Sequence, residues 1–234
     1  MQPTHRFYVP GSPSVIISVM PEITSVYKEY KIPKNLQEHQ LRVAAVASQI
    51  CDGLTTPVHR TSVIKACLLH DMGNIIKFDM RVFPEAWEPE GAAYWQAVKD
   101  EYIEKYGPDE HHASIVIARE LGLNALELAC IKSIDFGKTV ETLGLDIIEP
   151  KICDNADLRV DPHGVVSLAQ RLEEGHKRHK GRPDKWLADD VREKIVQACR
   201  DMEAQIFAKS KIKPEDITSE TTAPIIEELR TYVI

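Results

Sequence analysis

The residues of this chain best suited to chemistry are histidines and aspartates that share faces with apolar side chains. From His39, the residues Val43, Val46 and Ile50 recur at steps of three and four, which puts His39 on the buried stripe of a helix. His70 follows Val63 and Ala66 at the same kind of spacing, and Asp71 stands beside it, just before Gly73. His111 shares a face with Ile115 and Ala118, whereas His112 shares one with Val116 and Arg119 and reads as nearer a rim. Asp157 shares a face with Cys153 and Val160. One inward histidine is explained by a hydrogen bond to a carbonyl, but several inward His and Asp residues on four helices are not. A buried carboxylate without a partner is costly, and a divalent cation supplies the missing charge. Imidazole nitrogen with carboxylate oxygen suits Mn, Fe, Co, Ni or Zn, and Mg where waters complete the shell.

These side chains need helices to hold them, and helix signals run almost the whole length. Asn35 to Glu38 reads as a capping box that opens a helix to about Asp52, with Gly53 as its stop. A second helix is predicted from Ser62 to about Met72. Tyr94, Val98 and Tyr102 mark a third, ended by Gly107-Pro108, and Asp109 caps a fourth that reaches Leu121. Asn124–Glu127 and Ser167–Gln170 are further capping boxes, and Pro150 suits the first position of a helix over Lys151 to Val160. The longest helix is predicted from Asp184 to Lys209, and a short one follows Thr222. Segments 81–89 and 210–221 read as loops. Alternating β-branched runs are scarce, so the expectation is an all-α bundle of packed helices around a buried metal site. It is expected to form one domain over residues 1–234, with the helices of 166–234 packed on a motif region of about 35–165.

The order of these blocks resembles the HD-domain metal-dependent phosphohydrolase superfamily. Its signature is a His on one helix, an adjacent His-Asp on the next and a distant Asp on a later one. Leu68-Leu69-His70-Asp71-Met72-Gly73 resembles the second block, Glu38-His39-Gln40-Leu41-Arg42 the first, and Asn155-Ala156-Asp157-Leu158-Arg159 the last. The resemblance implies that His39, His70, Asp71 and Asp157 hold one divalent ion. It also implies that His111, with His112 as the alternative, serves a second ion bridged by Asp71. Asp154, three residues before Asp157, stays open as the competing ligand. The implied activity is hydrolysis of a phosphate ester, a nucleotide or small phosphomonoester, by water activated on the metal, with His70 and Asp71 central to the chemistry. Arg42, Lys77 and Arg159 are candidates for the substrate phosphate. One departure stands out: many members carry Lys directly after the Gly of the second block, where this chain has Asn74. Rival readings on the same ligands are a phosphodiesterase for a cyclic nucleotide or alarmone, a non-catalytic metal-binding regulatory domain, and a di-iron oxygenase.

Composition narrows the setting. The chain has 234 residues, 43% hydrophobic and 28% charged, ordinary values for a globular protein. A net charge of −7 argues against nucleic acid as a partner but leaves room for an anionic small molecule beside a cation. No apolar run approaches the roughly 20 residues of a membrane span, and the N-terminus lacks the pattern of a signal peptide, so the expected location is cytoplasmic. The five cysteines, none in a C-x-x-C pair, read as buried free thiols. Self-association is compatible with the sequence. The aromatic stretch from Trp87 to Tyr106 reads as core packing or as a wall beside the metal helices.

Overall fold

The computed structural model describes residues 20–81, 87–180 and 188–234. The described residues form eleven α-helices and no strands. Four of these helices make the centre: α2 (Lys34–Gly53), α3 (Arg60–Leu69), α6 (Ala125–Ser133) and α8 (Glu149–Asp157). α2 packs on α3 and α8, α3 on α6 and α8, and α6 on α8, the α2–α3 contact being the most extensive. The reason lies in α2, where Val43, Ala44, Ala45, Val46 and Ala47 are all fully buried. A helix apolar on every side must sit inside, and its alanines let neighbouring backbones come close.

The remaining elements surround this centre. A short α1 (Ile23–Glu29) precedes it. The α4 helix (Ala92–Tyr106) and α5 (Glu110–Glu120) both pack on the 3₁₀ turn of residues Asn74–Lys77. α7 (Thr139–Leu143) and α10 (Asp189–Phe207) pack on α8 and on each other, and α9 (Leu168–His179) lies against α10. The last helix, α11 (Ser219–Leu229), lies along α2. Beyond it the chain pairs with the segment before α1: Ile23 donates to the Tyr232 carbonyl at 2.8 Å, and Ile234 to that of Pro21 at 3.0 Å.

Local chemistry explains most boundaries. Asp109 accepts from the His112 backbone N–H at 2.7 Å, and the boxes at Asn124 and Ser167 form as read. The predicted box at Asn35 does not form. The helix starts two residues earlier, with Pro33 at its N-cap, so Asn35 lies inside the first turn and Glu38 is released for another partner. The last helix starts before its predicted position, at a Thr218–Thr221 box. The 210–221 loop contains one 3₁₀ turn, Pro214–Asp216. Residues 82–86 of the first predicted loop, and 184–187 at the predicted start of the longest helix, lie outside the described residues. α1 and α7 carry no cap signal strong enough to be read in advance.

All five cysteines are buried free thiols, as expected. Trp87, Trp95, Tyr102 and Tyr106 are buried, and the Trp95 indole donates to the Trp87 carbonyl at 3.2 Å. Tyr94 is 42% exposed. The aromatic stretch is thus core packing that buttresses the turn after His70-Asp71.

Candidate metal centre

The centre forms where α2, the end of α3 and the end of α8 meet. α3 stops at Leu69, and His70 to Gly73 continue as turns, so His70 and Asp71 project from one bend. His39 comes from the second turn of α2, and Asp157 is the last residue of α8. His39 Nε2 lies 3.0 Å from Asp157 Oδ1 and 3.6 Å from Asp71 Oδ2. His70 Nε2 lies 3.6 Å from each of the same two carboxylates. The imidazole rings are 5.4 Å apart between centroids.

The bend that carries His70 and Asp71 is anchored by three helices, α1, α2 and α5. The Tyr27 hydroxyl donates to the Leu68 carbonyl at 2.7 Å. The Asp71 backbone N–H donates to Gln40 Oε1 at 3.2 Å. The Gly73 N–H donates to the Ser114 hydroxyl at 2.9 Å, and that hydroxyl donates onward to the Glu110 carbonyl at 3.0 Å. Gly73 itself lies against α5. A Cβ there would run into the Glu110 carbonyl oxygen and sit 2.7 Å from the Ala113 Cβ. The glycine is required by close approach of two backbones.

The donor set fits a divalent cation. His70 is 4% exposed, and its Nδ1 lies 2.8 Å from the Cys67 carbonyl, an acceptor, so Nδ1 carries the proton. In the neutral ring Nε2 then presents a lone pair toward two carboxylates, and it has no hydrogen-bond partner among the described residues. Carboxylates on either side of a buried lone pair need a cation between them. Without one, a second proton takes its place: burial pulls the His70 pKa down, but Asp71 and Asp157 outweigh it and push it up to about 9. Burial raises Asp157, but the facing His39 and His70 imidazoles overcome this and hold it well below the usual carboxylate range. Metal–ligand bonds of about 2.0–2.2 Å place neighbouring donors about 3 Å apart, near the spacing seen. His39, His70 and Asp71 each offer one ligand atom within 4.8 Å of the others.

Asp157, not Asp154, is the aspartate of α8 that reaches the histidines. Asp154 is 1% exposed and turns into the interior beside Thr139 and the Asp135 backbone. Burial, reinforced by the Asp157 charge, pushes its pKa well up.

The structure does not bring the other predicted residues into this cluster in the same way. His111 and His112 are exposed, against the inward orientation expected of His111. They sit in the first turn of α5, beyond the core that Ala113, Ser114 and Ile117 enter, and His111 Nε2 lies 4.0 Å from Asp135 Oδ2 instead. Arg159 was a candidate for substrate, but its side chain is buried and its donors are engaged. Nε bonds to the Val166 carbonyl at 2.7 Å, Nη2 to those of Pro214 and Ile217, and Nη1 to Glu203 at 3.3 Å. It ties the C-terminal segments to α8. Lys77 is exposed on its 3₁₀ turn, and Asn74 is buried in the same turn. Arg42, one turn after His39, is half-buried. In α9, Lys177 pairs with Glu173 and Arg178 with Glu174. The supporting side chains Tyr27, Gln40 and Ser114 were not anticipated. Gln40, polar within an otherwise apolar helix stripe, was the one legible signal.

No curated protein and no solved structure matches the chain. Residues 36–125 match the family model described as HD domain, a span that contains His39, His70 and Asp71 and ends before Asp157. Asp157 of α8 lies outside the matched span but within 3.6 Å of both histidines. The match supports, over residues 36–125, the resemblance to the HD-domain family, a group of metal-dependent hydrolases.

Proposed function

We propose that the chain is a phosphohydrolase that cleaves a phosphate ester, a nucleotide or small phosphomonoester, at the metal centre. The observation that carries this reading is His70 Nε2, buried, unbonded and facing two carboxylates, with its tautomer set by Cys67. His39, His70, Asp71 and Asp157 would hold the ion. A bound divalent ion supplies Lewis acidity to phosphoryl oxygens and makes water a better nucleophile near neutral pH. The protein's own contribution is positional: the Gln40, Tyr27 and Ser114 hydrogen bonds fix the bend, so Asp71 does not have to reorganise as charge develops. Arg42 offers a guanidinium on the helix that carries His39, and Lys77 an exposed ammonium at the end of the Asn74–Lys77 turn, both suited to phosphate oxygens. The net charge of −7 makes such local cations necessary for an anionic substrate.

The test is to measure bound metal and phosphate release from nucleotides, cyclic nucleotides and simple phosphomonoesters with Mn, Co, Ni and Mg. Release that requires metal and vanishes in Asp71→Ala is expected. A folded protein that retains metal yet turns over no ester would sink the phosphohydrolase reading. Oxygen consumption with iron would replace it.

A further inference from the structure

Arg42 and Glu38 lie four residues apart on α2, with the acid toward the N-terminus. That order favours an ion pair along the helix. No contact ion pair forms, although the Arg42 charge still acts on Glu38. Both Glu38 oxygens are held instead by Arg230, at the end of α11, with Nη1–Oε1 at 2.8 Å and Nη2–Oε2 at 3.0 Å. Arg42 makes no hydrogen bond or ion pair with any described residue. Arg230 is itself fixed, because its Nε also bonds Glu227 at 3.1 Å and the chain beyond it pairs with residues 21–23. A two-pronged Arg–carboxylate contact is stronger and more directional than a single-pronged helix pair, so Glu38 stays with Arg230.

We infer that Arg230 is a positioning residue: it occupies Glu38 so that Arg42, three residues after His39, is left free to bind an anionic oxygen of the substrate at the metal centre. This rests on the phosphate-ester reading above and deepens it by assigning which cation receives the phosphate and what keeps that cation available. It also gives α11 a part in the site without any contact to substrate.

Removing either partner breaks the same ion pair, but the two removals have opposite consequences for Arg42. In Arg230→Ala, Glu38 is freed to capture Arg42. In Glu38→Ala, Arg42 has nothing to capture it. The experiment is calorimetric titration of the Mn-loaded protein with inorganic phosphate, with melting temperature measured alongside. Arg230→Ala is expected to weaken phosphate binding about tenfold, as loss of one charge-assisted contact does. Glu38→Ala is expected to bind as tightly as the unmodified protein or more tightly, despite a similar loss of melting temperature. The double variant Arg230→Ala/Glu38→Ala should recover the binding lost in the single one, and Arg230→Ala should add nothing once Arg42→Ala is present. On an ester that is turned over, the Arg230→Ala loss should fall on KM with kcat little changed. Equal weakening by Arg230→Ala and Glu38→Ala would show that the pair is only structural and overturn the inference. So would phosphate binding sensitive to Arg42→Ala but indifferent to Arg230→Ala. A Mn-loaded protein that binds no phosphate would remove the phosphate-ester reading itself, and this inference with it.

Discussion

The junction of α2, α3 and α8 and the first turn of α5 both offer histidines on what the sequence presents as apolar faces, yet the structure buries one set and exposes the other. His70 is 4% exposed and His39 about one-fifth, while the His111 side chain is 48% exposed. Periodicity tells which side of a helix a residue lies on. It does not tell how far along the axis the neighbouring elements extend. His39 stands in the second turn of a 20-residue helix flanked by α3 and α8, whereas His111 is the second residue of α5, where the packed face has not yet begun. Depth along the axis, not face, separates the two regions.

The largest expected effect tests the buried region. Asp71→Ala should weaken metal binding by well over 100-fold, because even outer partners of metal ligands are worth about 10–100-fold. Metal content after gel filtration measures this, and near-stoichiometric metal in the variant would show that the junction is not the binding site.

Next comes Arg159→Ala. Arg159 and Asp157 are neighbours at the end of α8, and both were read as site residues, but Arg159 serves the fold. Loss of its buried bonds, with Glu203 left behind, should cost roughly 3 kcal/mol. That corresponds to a drop of about 6–12 °C in melting temperature. Metal affinity should be unchanged once the protein is folded. A stable variant with a raised KM would return Arg159 to the substrate.

These cases show what was legible. The clustering of His39, His70, Asp71 and Asp157 could be read because His-Asp adjacency, a glycine and two flanking helical blocks are local patterns. Helices with Asp, Asn or Ser caps were legible for the same reason, since a cap and its N–H partner lie within three residues. What failed was non-local. Glu38 looked like half of a capping box because its true partner, Arg230, is 192 residues away. Arg159 looked like a phosphate ligand because the carbonyls of Pro214 and Ile217 that consume it come from a loop with no sequence signal. His111 looked buried because no pattern marks where the core begins.

A smaller effect concerns acid. The hydrogen bonds from Arg230 hold Glu38 below the ordinary carboxylate range in the folded protein. The folded-state pKa is therefore below the unfolded one of roughly 4.3. Its stabilisation is full above that value and is lost as pH falls through the folded pKa. The group is partly exposed, so the effect should stay under about 1 kcal/mol. Urea unfolding at pH 5 and pH 3 should show a smaller acid loss in Arg230→Met than in the unmodified protein. An identical loss in both would mean that the contact contributes nothing to folding.

The smallest effect is expected at the exposed end of the comparison, from His111→Ala. Its charged neighbours are Asp135, 4.0 Å away, and the capping Asp109, and Asp135 also has Lys138 at 3.5 Å. An exposed pair of this kind is worth at most about 1 kcal/mol, which is about fivefold in an equilibrium constant. Stability should change by no more than about 0.5 kcal/mol, as for most surface substitutions. Affinity for the first equivalent of metal should change less than fivefold, because the four donors at the junction neither touch His111 nor depend on it for orientation. Titration of metal into the apo-protein distinguishes the cases directly. If His111→Ala removes a second, weaker equivalent and leaves the first intact, depth in the fold separates a tight site from a loose one rather than a site from a surface. If it abolishes the first equivalent, the first turn of α5 must move inward when metal binds, and burial in the metal-free arrangement is no guide to which histidines coordinate.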